Sequence, residues 1–316
     1  MSVHYITQLD QNVIREHIQF QNRYGLKLAG DLYYPKELSG DKYPAIIVGA
    51  PYGGVKEQGP AVYANELTKR GFVVLTFDQP YMGESEGYPR QVSSPDLYAE
   101  SFSAAVDYLG VQVQFVDREK IGVIGICGSG GFGLSAASVD TRIKAVVTTS
   151  MYDITDIRGM GNLNKEQLDE MKDQLSKQRW VDYANQEPEM KPAFPDHPYP
   201  SVEEIPEMDK ISNEWFRFYA VPRGFHPNSR GGQTTTSSLA MLQFSALDYI
   251  GEISPRPILF IYGDRAHSRA YSERAYNLAN EPKEKYIVDD REHIDLYDRV
   301  DKIPFDKIKE FFNANL

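Results

Sequence analysis

Residues 121–131 read Ile121-Gly122-Val123-Ile124-Gly125-Ile126-Cys127-Gly128-Ser129-Gly130-Gly131. A short apolar run passes without a spacer into a glycine-lined stretch, and small residues continue beyond it. The pattern predicts a buried strand over 121–125, a tight turn, and a helix over 128–137. A turn that sharp holds its central residue, Cys127, in a strained backbone conformation and lifts its side chain above the sheet edge. The flanking residues have to be small because strand and helix backbones pass close together. The helix would present its positive N-terminal end to the thiol, and that field is expected to lower the thiol pKa.

Outward from this centre the same alternation recurs. Residues 17–21 and 26–34 read as a hairpin around the turn-rich Asn22-Arg23-Tyr24-Gly25. Further buried strands are predicted at 45–48, 72–77, 145–149, 258–262 and 285–288. Between them lie a helix over 60–70, with Pro60 at its start and Gly71 past its end, and one carrying Tyr98, Phe102, Ala105 and Leu109, closed by Gly110. Phe305, Ile308 and Phe312 mark an amphipathic C-terminal helix. Short apolar runs alternating with helices predict an α/β protein with a mostly parallel central sheet covered by helices on both faces.

Between Tyr152 and Ile250 the alternation stops. Asn164 with Gln167 forms a capping-box pattern ahead of the stripe Leu168, Met171 and Leu175, and a second stripe runs through Met208, Ile211, Trp215 and Phe218. Residues 192–206 hold five prolines and read as a connection. The expected organisation is therefore a core of residues 1–151 and 251–316, with 152–250 inserted as a mainly helical lid over the strand ends, where such sheets bind ligands.

Composition narrows the function. The chain has 316 residues, 41% of them hydrophobic, and a net charge of −11, which argues against a nucleic-acid partner because phosphate binding needs clustered Lys and Arg. No basic stretch followed by an apolar segment opens the chain, and no run approaches the ~18 apolar residues of a membrane helix. A single cysteine cannot form an internal disulfide, and a cytoplasmic location without membrane attachment is expected. No histidine or cysteine spacing suits a metal, and no G-x-G-x-x-G pattern in the right register suits a dinucleotide, so no cofactor is expected. The sequence is compatible with a homo-oligomer.

The run around Cys127 resembles the nucleophile elbow of the α/β-hydrolase superfamily, with cysteine where serine is usual, and is similar to the dienelactone-hydrolase-like branch that includes relatives of fungal polyketide acyltransferases and thiohydrolases. The loop Pro51-Tyr52-Gly53-Gly54, the loop Asp78-Gln79-Pro80-Tyr81-Met82-Gly83-Glu84-Ser85 and the histidine of Asp289-Asp290-Arg291-Glu292-His293-Ile294-Asp295-Leu296-Tyr297 fall in the family's order. The resemblance implies an α/β-hydrolase fold, Cys127 as nucleophile, His293 as base, and an oxyanion hole from the backbone N–H groups of Tyr52 and Gly128. In a second frame Ser129 is the nucleophile, with Gly131 two residues on. His267 is the other candidate base. The family's acid follows the strand before Gly263, where this chain has Asp264-Arg265-Ala266-His267. Asp264 is the nearest carboxylate, with Glu273 and Asp289 as alternatives.

The expected activity is hydrolysis of a small-molecule carboxylic ester or thioester through an acyl-enzyme. Acyl transfer from the same intermediate and non-catalytic small-molecule binding are the alternatives. Lid aromatics, foremost Trp215 and Tyr219, would line an acyl pocket; Trp180, Tyr183, Phe216 and Phe218 belong to the same set.

Overall fold

The structure is a computed structural model that describes residues 4–40, 42–229 and 231–316. In chain order its strands are β1 (Val13–Gln21), β2 (Lys27–Pro35), β3 (Tyr43–Gly49), β4 (Val73–Phe77), β5 (Val116–Ile126) and β6 (Ile143–Thr149). The two-residue β7 (Met190–Lys191) and β8 (Gln233–Thr234) follow, then β9 (Ile258–Gly263) and β10 (Lys283–Val288). Eight of them make one sheet in the order β1-β2-β4-β3-β5-β6-β9-β10; β1 and β2 run antiparallel to their neighbours and the rest are parallel.

Burial explains the order. Every residue of β4 and β9 is buried, as are 121–126 of β5 and 45–49 of β3, which suits strands covered on both faces. Aliphatic side chains there contribute roughly 1.5–3 kcal/mol each. β10 does not fit the buried strand expected at 285–288. It is the sheet edge, paired on one side only, and its middle residues are exposed.

The helices are α1 (Gly59–Thr68), α2 (Pro95–Gln112), α3 (Gly128–Val139), α4 (Ile157–Met160), α5 (Lys165–Asn185), α6 (Lys210–Tyr219), α7 (Ser237–Leu242), α8 (Arg269–Leu278), α9 (Asp295–Asp298) and α10 (Phe305–Asn315). One core cluster packs α2, α3 and α8 residues such as Phe102, Phe132 and Ala275 against the sheet. The other packs α1, α9 and α10 residues such as Leu67, Tyr297 and Phe312 on the opposite face. Gly110 does not close α2, which runs on to Gln112 before Val113 takes an extended conformation.

Helices α4 to α7 and the β7–β8 pair lie in the stretch between β6 and β9. Asn164 caps α5 with the expected box, its side chain accepting from the Gln167 N–H while Gln167 returns a bond to the Asn164 N–H. The Leu168–Met171–Leu175 stripe is only partly used, because Leu175 alone is buried. No helix among the described residues is long and apolar enough to cross a membrane.

Candidate active site

The site is built where the parallel strands end. β5 runs into Cys127, whose φ of 54° and ψ of −121° lie where an L-residue is strained, and α3 starts at the next residue. The surrounding structure holds that strain: the Cys127 N–H donates to the Thr149 carbonyl at 3.0 Å, and its carbonyl accepts from the N–H groups of Gly130 and Tyr152 at 2.9 Å each. Two glycines are required by close approach. A Cβ on Gly125 would stand 2.3 Å from the Ser129 carbonyl oxygen, and one on Gly128 would stand 2.8 Å from Tyr52 Cβ.

The contact at Gly128 brings in the loop after β3. The N–H groups of Tyr52 and Gly128 lie side by side next to the Cys127 thiol, with Tyr52 N 3.4 Å from where a Cβ of Gly128 would stand, a placement suited to a carbonyl oxygen that develops charge beside sulfur. Burial pushes the thiol up to about 11, outweighing the lowering by these two amides and by Tyr297. The lowering expected from the helix end is therefore outweighed by desolvation of a fully buried sulfur.

Ser129, the alternative nucleophile, faces another way. Its hydroxyl donates to the Ala50 carbonyl at 2.5 Å, and it is not among the residues lining the cavity above Cys127.

His293 follows β10 and is completely buried. Its Nδ1 lies 2.5 Å from Ser268 Oγ and its Nε2 lies 2.8 Å from the hydroxyl of Tyr297, which lines the same cavity as Cys127. Burial, reinforced by neighbouring His267, holds the imidazole well below its usual pKa. Its loop is pinned by Ser150, whose hydroxyl donates to the His293 carbonyl at 2.9 Å.

Asp264 is not brought to His293. Its carboxylate accepts from the Arg291 N–H at 3.2 Å and its own N–H donates to Val288, so it braces the histidine loop from outside. Glu273 pairs with Arg269 on the surface, and Asp289 is exposed. The place expected for a carboxylate is filled by Ser268, which ends the loop after β9 and precedes α8.

His267 stacks on His293 with ring centroids 4.7 Å apart, and its Nδ1 lies 3.0 Å from Glu214 Oε2. Glu214 comes from α6, and its other oxygen accepts from the Ile294 N–H at 3.0 Å. Burial raises the Glu214 carboxyl, but His267 and the Ile294 amide more than offset this and hold it below its ordinary value. One lid carboxylate thus grips the chain on both sides of the His293 ring. Ser268, Glu214 and Tyr297 escaped the sequence reading; Tyr297, four residues after His293 and across one helical turn, carried the only local signal.

Above Cys127 lies a cavity of about 380 Å³. Trp215 and Tyr219 line it together with Tyr152, Phe194, Ile211 and Tyr271, and no Asp, Glu, Lys, Arg or His is among its described lining residues. Trp180 and Tyr183 are exposed on α5 instead, and Phe218 is buried against Tyr297. The only acidic or histidine cluster with metal-like spacing among the described residues is Glu57, Asp78 and Glu84. Lys56 Nζ sits within it, bonded to Glu57, to Asp78 at 3.1 Å and to Glu84 at 2.6 Å, so the cluster already holds a cation.

Known proteins resemble this chain in sequence and fold. A family model described as "PETase: PET hydrolase-like" matches residues 11–159. "Uncharacterized protein PA2218" of Pseudomonas aeruginosa is 47% identical over 314 residues, covering 98% of this chain and 82% of that protein. The crystal structure of hypothetical protein PA2218 superposes with a TM-score of 0.92 over 99% of this chain and 97% of that one, at 46% identity. "Thiohydrolase aneE" of Aspergillus aculeatus is 27% identical over 301 residues, covering 91% of this chain and 89% of that protein.

Proposed function

The chain belongs to the same family as PA2218 and has the fold of the α/β-hydrolases, and from that premise we propose that it hydrolyses carboxylic esters or thioesters through an acyl-enzyme on Cys127, with His293 as base. The observation that carries this reading is the strained turn that sets Cys127 at the cavity wall, between the end of β5 and the start of α3, with the Tyr52 and Gly128 backbones packed beside it. The thiol and the imidazole are both neutral at rest, since burial raises one and lowers the other. The base therefore takes the thiol proton as sulfur attacks the carbonyl carbon, and the two amides receive the oxyanion. Collapse expels the alcohol or thiol, which leaves with that proton. Water, deprotonated by His293, then releases the acid and restores the thiol.

The substrate's acyl part is uncharged and apolar or aromatic. An ionised group would have no counter-charge among the described lining residues, and burying one unpaired is costly. The thiohydrolase name of the Aspergillus relative supports including thioesters.

Intact mass spectrometry after mixing with p-nitrophenyl esters and acyl-CoA thioesters tests the reading. An acyl adduct on Cys127, absent with turnover in Cys127→Ala and kept in Ser129→Ala, is the expected result. Full turnover by Cys127→Ala would overturn it.

A further inference from the structure

The base and the nucleophile are not in direct contact. Among the described residues no hydrogen bond joins His293 to Cys127; His293 Nε2 meets the Tyr297 hydroxyl instead, and that hydroxyl lies close enough to the Cys127 thiol to lower its pKa. His293 Nδ1 is occupied by Ser268, which leaves Nε2 as the nitrogen able to take a proton, and the Tyr297 hydroxyl stands against Nε2 at 2.8 Å. Tyr297 is completely buried, and Phe218 packs against its ring in an edge contact with centroids 5.3 Å apart. Both Tyr297 and Cys127 line the cavity, whereas His293 does not.

Resting on the acyl-enzyme reading above, we propose that Tyr297 is a catalytic residue that relays the proton between Cys127 and His293. The thiol proton passes to the tyrosine oxygen while the phenolic proton passes to His293 Nε2. The net change is thiol plus imidazole to sulfur nucleophile plus imidazolium, with tyrosine neutral before and after. The sulfur pair forms the bond to the carbonyl carbon, and the carbonyl π pair moves to the oxygen held by Tyr52 and Gly128. On collapse the bond to the leaving group breaks and the proton returns along the same path to the departing oxygen or sulfur.

A relay has to remain protonated at rest, and it does. Burial, followed by the charges of Cys127 and Tyr219, keeps the Tyr297 phenol well above its ordinary pKa. The ionisable groups around it are Cys127 and His293 from the core, Tyr152 after β6 and Tyr219 from the lid, and no carboxylate bonds its hydroxyl among the described residues. A hydroxyl that accepts from one partner and donates to the other needs no rearrangement when the proton moves.

The test starts from wild type. An acyl adduct must first map to Cys127; if none forms, or if Cys127→Ala keeps turnover, the acyl-enzyme reading fails and the relay falls with it. Given that adduct, Tyr297→Phe keeps the ring and its packing while removing the hydroxyl. Single-turnover acylation is expected to slow by about 10²-fold or more, and the proton inventory in mixed light and heavy water to change from curved to linear. Acylation by Tyr297→Phe within about threefold of wild type would overturn the proposal, because a direct Cys–His transfer would then suffice. Should Tyr297→Phe fold poorly, 3,5-difluorotyrosine at position 297 keeps the shape and acidifies the hydroxyl. The alkaline limb of the acylation profile then moves to lower pH, and an unmoved profile counts against the relay.

Discussion

Removing the Ser268 hydroxyl probes how the base is held. For His293 to accept a proton at Nε2, Nδ1 must carry the other one, and Ser268 Oγ at 2.5 Å is its acceptor. Both residues are completely buried, so solvent cannot substitute in Ser268→Ala. A buried N–H without an acceptor costs about 1–3 kcal/mol. The imidazole can avoid that cost by shifting its proton to Nε2, the tautomer that cannot act as base. At about 1.4 kcal/mol per decade, the productive form is depleted about 5- to 150-fold.

Acylation should slow by that factor with KM little changed, since Ser268 does not line the cavity. Stopped-flow release of p-nitrophenolate measures the rate, and ¹⁵N chemical shifts of the His293 ring report the tautomer. Thermal unfolding serves as the control. A chain of 316 residues loses about 0.7 kcal/mol per degree at its midpoint, so the largest expected cost lowers Tm by only about 5 °C. If Ser268→Ala acylates at the wild-type rate while Nδ1 stays protonated, the serine does not set the tautomer. Ser268→Asp supplies the carboxylate that the position lacks. It should raise the His293 pKa and introduce an acid limb into the rate profile.

Three other outcomes follow from the same contacts. In wild type, acylation should be nearly flat from about pH 6 to pH 9, because His293 stays neutral well below its usual pKa and the thiol ionises at about 11; a limb with its midpoint near 6.5 would contradict this. Glu214→Ala should increase hydrogen exchange at the Ile294 amide and tryptic cutting near α6 while reducing turnover about tenfold, and Glu214→Gln, which keeps an acceptor for Ile294, should be intermediate. Lys56→Met removes the cation buried between Glu57 and Asp78 and leaves Asp78 without its partner, so calorimetry should show a loss of about 3–5 kcal/mol.

Reading the sequence was easiest where one residue type answers to one local constraint. Ala45, Ile46, Ile47 and Val48 can only be an interior strand, and the glycines around Cys127 mark a backbone crossing whatever the rest of the chain does. The end of α2 was misjudged because Gly110 in a helix costs only about 1 kcal/mol, which packing of Phe102, Ala105 and Leu109 outweighs. β10 misled because Tyr286, Ile287 and Val288 look like a core strand, whereas edge position is decided by which strands pair, a non-local fact. The acid was illegible for a related reason. A search along the chain for a carboxylate after β9 finds Asp264, but the group that meets Nδ1 is a hydroxyl four residues later. The nearest carboxylate to the two histidines comes from α6, some fifty residues upstream in the lid.

That placement bears on how a charge can appear in so dry a site. When His293 accepts a proton, the imidazolium meets a serine oxygen at Nδ1 rather than a carboxylate, so its counter-charge has to come from farther off. Glu214 is ionised, lies 3.0 Å from His267, and His267 lies flat against the His293 ring at 4.7 Å. In an interior of low effective dielectric a carboxylate at second remove is screened less than it would be in water. Glu214 belongs to the same helix as Trp215 and Tyr219, which line the cavity. Any displacement of α6 therefore reshapes the cavity wall and moves the Glu214 carboxylate away from His267 together.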